Sequence, residues 1–137
     1  MKALVYCGPG DMVFKNVPEP ENLHGEVLVQ IEAVGLCGSD MHAYLGHDER
    51  RPAPLILGHE ASGRVFGGLR DGDRVVINPL VSCRACEDCF NGRANLCAKR
   101  EIISMPPRQG AFAELVAVPM ENLVDVSESL DLKTAAL

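Results

Sequence analysis

Four of the chain's six cysteines fall within sixteen residues, SCRACEDCFNGRANLC at 82–97. No other feature constrains the fold as tightly, because thiols at that density either pair with one another or grip a metal. The spacing is C-x2-C-x2-C-x7-C, through Cys83, Cys86, Cys89 and Cys97. Thiolates two residues apart can wrap one tetrahedral ion, whereas such tight loops leave little room for two unstrained disulfides. An iron–sulfur cluster is the sharper rival. The bacterial ferredoxin run, however, has three residues before its last cysteine and a proline after it; here there are seven, followed by Ala98. Structural zinc is the reading that stands. With all four donors used, the lobe has no open coordination position and serves to staple a long loop. Asn91-Gly92 supplies the turn before the fourth cysteine, and Arg84, Arg93, Lys99 and Arg100 lie near enough in sequence to offset the negative charge.

Composition narrows the setting. The 137 residues amount to one domain, with a formal net charge of -6 that argues against nucleic acid or an anionic membrane as partner. Two Tyr, four Phe and no Trp leave Val, Leu, Ile and Ala to fill the core. The start, MKALVYCGPGD, lacks the apolar run of a signal peptide, and no stretch is apolar enough to span a membrane. A cytoplasmic, reducing setting is therefore expected, and it favours metal over disulfide.

Short strands dominate the pattern. Segments 1–7 and 12–17 flank Gly-Pro-Gly-Asp and predict a hairpin. Residues 25–35 alternate Val27, Val29, Ile31 and Ala33 against Glu26, Leu28, Gln30 and Glu32, a half-buried strand. Segment 64–79 predicts two strands around a Gly-rich connection; 111–119 and 122–126 predict two more. Helix is thin: a turn over 40–45, and a start at 131–137 capped by Asp131 or Ser129. The fold class is mainly β, a small β-barrel with inserted loops. Cys7 is expected as a small buried hydrophobe, and His24 and His47 as ordinary loop residues.

A second cluster of metal-binding types lies in CGSDMH (37–42) and GHE (58–60). Catalytic zinc takes three protein donors and keeps one position open. Cys37 and His59 suit two of these; Glu60 or a residue elsewhere supplies the third. Gly38 and Gly58 would let the backbone turn beside the two ligands. Asp40 has the chemistry to accept a hydrogen bond from the His59 imidazole and fix its tautomer. Ser39 and His42 then provide a hydroxyl and a titratable ring, the parts of a proton relay from a bound alcohol.

In this order, CGSDMH, LGHEASG, GDRV at 72–75 and the four-cysteine lobe resemble the zinc-dependent medium-chain alcohol and polyol dehydrogenases, over nearly the whole chain. The resemblance implies a GroES-like, partly open β-barrel with a zinc-binding lobe and few short helices. It implies Cys37 and His59 as catalytic-zinc ligands, with Glu60 a ligand in some members and a supporting residue in others. Ser39 and His42 form the relay, Asp40 orients His59, and Cys83, Cys86, Cys89 and Cys97 hold structural zinc. Two zinc ions are thus implied, with NAD or NADP as oxidant, a small alcohol or sugar as substrate, and a homo-oligomeric full-length enzyme. Ser39, where alcohol-specific members often carry Thr, and Tyr44 after His42 lean toward polyols and sugars.

No G-x-G-x-x-G follows a strand here; Gly8-Pro9-Gly10 sits in a hairpin turn. The family's cofactor-binding Rossmann domain and its C-terminal return segment are not in this stretch. The 137 residues are accordingly expected to be a catalytic-domain fragment, inactive alone. Gly67-Gly68 suits a tight hairpin in a connection shorter than most members show. Arg108 in MPPR is expected to be a solvated surface residue, or less readily a contact for a substrate carboxylate or phosphate. The alternative function, a non-catalytic zinc module that binds a macromolecule, leaves Cys37 and His59 without purpose.

Overall fold

The computed structural model describes residues 1–21 and 25–137, so His24 lies outside the described residues. The expected N-terminal hairpin forms from β1 (Lys2–Gly8) and β2 (Asp11–Asn16), with Gly10 in the left-handed region at φ 75°. On its other edge β1 pairs with β4 (Leu55–Ile56). Two residues are too few to show a strand period in the sequence, and this element was not anticipated.

The larger sheet is antiparallel, in the order β10-β6-β5-β3-β9, and curls into part of a barrel. Its strands are β3 (Glu26–Gly35), β5 (Glu60–Phe66), β6 (Arg74–Ile77), β9 (Leu115–Pro119) and β10 (Leu123–Asp125). Val29, Val65, Val75, Ile77, Val116 and Val118 pack inside it. A second cluster, around Val5, Tyr6, Leu55, Leu57 and Phe112, lies between this sheet and the hairpin, and Val34 touches both. The interior is aliphatic, as the scarcity of aromatics requires. Each fully buried valine contributes about 2 kcal/mol of burial.

The alternation predicted for 25–35 holds only to Ile31. Pairing with β5 slips between Ile31 and Ala33, an extra residue that re-phases the strand and turns Val34 inward. Gly63 permits the close approach there: a Cβ on it would stand 2.0 Å from the Gln30 carbonyl oxygen. The hairpin at Gly67-Gly68 carries a single 3-10 turn, Gly68–Arg70. Segment 111–119 is a regular strand only from Leu115. Before that, Gly110, Ala111 and Phe112 donate their amides to the carbonyls of Ile56, Gly58 and Leu57 at 2.7–2.9 Å.

The four-cysteine loop is closed at its base by β7 (Leu80–Val81) and β8 (Glu101–Ile102), and carries the short α2 (Glu87–Phe90). Beyond the barrel, α3 (Leu132–Ala135) begins at Asp131 as expected, although Asp131 makes no side-chain cap.

Two expectations need correction. Arg108 is neither solvated nor free for an anion: its guanidinium binds Glu26 at 2.8 Å and Glu101 at 2.6 Å, with 18% of the side chain exposed. Cys7 is half-buried rather than buried, with the Lys15 ammonium 4.0 Å from its sulfur.

Candidate active site and metal centres

Three segments converge at one end of the barrel. β3 ends at Gly35 opposite Glu60, α1 (Gly38–Tyr44) starts directly after Cys37, and β5 starts directly after His59. The turn at Gly58 joins β4 to β5 with φ 90°, and a Cβ there would lie 2.6 Å from the Phe112 ring. Gly58 therefore turns the chain as expected. Gly38 does not: it opens α1 with no left-handed φ.

The result brings one donor atom each from Cys37, His59 and Glu60 within 4.8 Å of one another. Asp40, 3% exposed, ties the two ligand segments together. Its carboxylate accepts the amides of Cys37 and Gly58, each at 3.1 Å, and stands 3.6 Å from Nδ1 of His59. That separation is beyond a hydrogen bond, and Nδ1 is buried without another partner. The carboxylate is the group facing the buried ring nitrogen, without the hydrogen bond expected between them.

Charge follows from this packing. Burial pushes the Asp40 carboxyl up, but His59 and the amides of Gly58 and Cys37 outweigh it, leaving it below its ordinary range. Asp40 in turn raises the His59 pKa against the effect of burial, with Cys37 acting in the same direction. The Cys37 thiol is lowered, foremost by hydrogen bonds from Ser39. A thiol of lowered pKa, an imidazole and a carboxylate brought this close form a donor set suited to zinc with a position to spare. Ser39 Oγ lies 3.4 Å from Nε2 of His59, on the same side as the donors. His42 lies three residues further along α1, exposed to solvent, its ring 6.4 Å from that of His47.

In the lobe, the sulfurs of Cys86 and Cys89 are 3.5 Å apart, Cys97 and Cys83 3.5 Å, and Cys83 and Cys89 4.0 Å. Four thiolates about 2.3 Å from one ion would form a tetrahedron with edges of about 3.8 Å. The spacing fits that cage and is far too long for disulfides. The Ala85 amide and the Cys97 thiol bring the Cys83 pKa down to about 6. Gly92, at φ 72°, makes the expected turn, just after a short helix, α2, that was not expected. Arg84 and Arg93 are committed to Glu121 and Asp88, so they offset the thiolates less than their sequence positions suggest.

Residues 23–128 match the alcohol dehydrogenase GroES-like domain. The chain belongs to this family. Among its relatives are an uncharacterized zinc-type alcohol dehydrogenase-like protein of Haemophilus influenzae, 37% identical over 96% of this chain and 40% of that protein, and the sorbitol dehydrogenase of Bacillus subtilis, 36% identical over 100% and 41%. The crystal structure of galactitol-1-phosphate dehydrogenase from Escherichia coli superposes with a TM-score of 0.89 at 32% identity, over 99% of this chain and 41% of that one. The chain spans about two fifths of the length of these relatives. The GroES-like domain thus accounts for the curled sheet. Among the described residues, no helix is long and apolar enough to cross a membrane.

Sequence reasoning missed three residues that hold this region. Arg51, 4% exposed, binds Asp48 and donates to the Ser104 carbonyl at 3.1 Å. Phe112 fills the space beneath Gly58, and Ser62, fully buried, donates to the Leu132 carbonyl at 2.5 Å. Each joins segments far apart in the chain, so no local pattern announces it.

Proposed function

We propose that this GroES-like domain is the catalytic half of a zinc-dependent, NAD- or NADP-linked dehydrogenase that oxidises a secondary alcohol of a polyol or sugar derivative. The observation that carries the proposal is the convergence of Cys37, His59 and Glu60 within 4.8 Å, backed by Asp40 and flanked by Ser39. Cys37, His59 and Glu60 would hold one zinc; Cys83, Cys86, Cys89 and Cys97 would hold another whose role is structural. Bound at the first site, zinc supplies Lewis acidity that makes an alcohol proton easier to remove.

The chain's own residues do the rest. Ser39 Oγ would take the hydroxyl proton as it gives up its own toward His42, one helical turn away and open to water, which would release a proton to solvent. Asp40 keeps the His59 ring aimed at the donors by holding Nδ1 in its field. The polyol preference is supported by the sorbitol and galactitol-1-phosphate enzymes among the relatives. Turnover requires the cofactor-binding remainder of the enzyme, and a reducing compartment keeps the six cysteines as thiols.

The test is metal analysis and steady-state kinetics of the full-length enzyme with sugar alcohols. Wild type should carry two zinc ions per chain, while Cys37→Ser should retain one and lose turnover. Retained turnover in the variant would remove Cys37 from the site. Two equivalents of zinc with no dehydrogenase activity on any alcohol would favour a non-catalytic zinc module instead.

A further inference from the structure

We infer that Gly35 and Leu137 form a slot that aims the Glu60 carboxylate at Cys37 and His59, making Gly35 a positioning residue for the metal cluster. The inference rests on the reading above that this cluster holds an ion. Gly35 and Glu60 are direct partners across the β3–β5 ladder. Opposed residues in such a pair ordinarily keep their Cβ atoms about 4.5–5.5 Å apart. A Cβ on Gly35 would stand 3.2 Å from Cβ of Glu60 and 2.7 Å from its Oε2. The carboxylate therefore occupies the space that any side chain at position 35 would fill.

Backbone conformation does not explain this glycine. Unlike nine other glycines of the chain, Gly35 has no left-handed φ. What matters at this position is the absence of a side chain, and the group that uses the space is Glu60.

The far wall of the slot is supplied from the other end of the chain. Cδ2 of Leu137 would lie 3.4 Å from the same Cβ, although Leu137 is 93% exposed. Core burial does not hold it there. Its placement follows from α3, which packs on β3, β5 and β6. Ser62 anchors that helix by donating to the Leu132 carbonyl, and Arg74 donates to the carbonyls of Glu128 and Leu130 just before it. Ser62 and Glu60 are two residues apart on one face of β5, so a single strand face both bears the carboxylate and moors the helix that hems it in.

Titrating the metal-free full-length enzyme with Co2+ tests the slot without relying on turnover. Wild type should take up two equivalents, and Cys89→Ser identifies the one that belongs to the lobe. Gly35→Ala presses hardest on the Glu60 carboxylate, the far end of a flexible side chain, and asks the Glu60 Cβ at 3.2 Å to give by a few tenths of an ångström, so the fold should survive with a small loss of stability. Affinity at the Cys37 site should fall at least about tenfold, as when a residue orienting a ligand is lost, with lobe affinity unchanged. In a Glu60→Gln background the same change should add nothing, since Gly35 acts through the carboxylate. Leu137→Ala, at an exposed position, should weaken the same site by a smaller factor and does so even if Gly35→Ala folds poorly. Unchanged affinity in both variants while Glu60→Gln binds weakly would overturn the slot but leave the metal site standing; so would an undiminished Gly35→Ala effect in the Glu60→Gln background. If wild type and Cys37→Ser both take up one equivalent, the metal site itself fails, and the slot with it.

Discussion

The Asp40 carboxylate stands 3.6 Å behind Nδ1 of His59 while accepting the amide of Gly58, the residue that precedes that histidine. One buried side chain thus fixes the backbone approach of a candidate metal ligand and faces the back of its ring, and it also holds the amide of Cys37. Replacing Asp40 by Ala should weaken metal binding at the Cys37–His59–Glu60 site by about 10- to 100-fold. The lobe should bind as before. Competitive titration with a chromophoric chelator, resolving the two classes of site, measures both.

The lobe should respond in the opposite way. Cys89→Ser opens the four-sulfur cluster and should remove the ion proposed to staple residues 82–97. A loss of about 2–3 kcal/mol would lower Tm by roughly 10 °C for a domain of this size. Calorimetry of the zinc-loaded chain, paired with metal counting, should show that drop and the loss of one equivalent. An unchanged Tm would remove the structural role.

Arg51 and Asp48 form a buried ion pair behind the loop that leads into β4, with Arg50 on the same carboxylate from outside. Arg50 foremost, and Arg51 with it, hold the Asp48 carboxyl at about 2 against the effect of burial. Because this folded-state value lies below the unfolded 3.8, the pair stabilises the fold above that unfolded value and loses its effect as pH falls toward 2. Asp48→Asn strands the Arg51 charge and should cost about 3 kcal/mol at neutral pH. In urea melts from pH 7 downward, the gap between wild type and variant should close between about pH 5 and pH 2. A gap that stays constant would disprove the assignment.

Gly58 combines a left-handed φ of 90° with Phe112 beneath it. Gly58→Ala should therefore destabilise by about 3 kcal/mol, part backbone strain and part overpacking. Adding Phe112→Leu should relieve the second part only. Chemical denaturation of the two single variants and the double variant should show less than additive loss; full additivity would mean the ring does not press on this turn.

Much of the site was legible because its determinants are local. The C-x2-C-x2-C-x7-C run and the CGSDMH and GHE segments carry their donors at fixed short spacings, and β3, which leads into Cys37, alternates with period two as far as Ile31. The same reasoning failed where local period was absent or broken. β4, β7 and β8 are each two residues long, and the slip at Ile31–Ala33 re-phases β3 within an otherwise regular pattern. Arg108 was misjudged because its partner Glu26 lies 82 positions away.

The sequence alone therefore determined which atoms could bind metal and that the chain would be mainly β, since donor chemistry and side-chain alternation are properties of a few consecutive residues. The tertiary structure decided how those atoms are aimed. Asp40 behind His59, Gly35 making room for Glu60, and Ser62 mooring the helix that leads to Leu137 all join segments that meet only when the barrel closes. Contacts of that kind depend on strand register and close packing, which no short window of residues encodes.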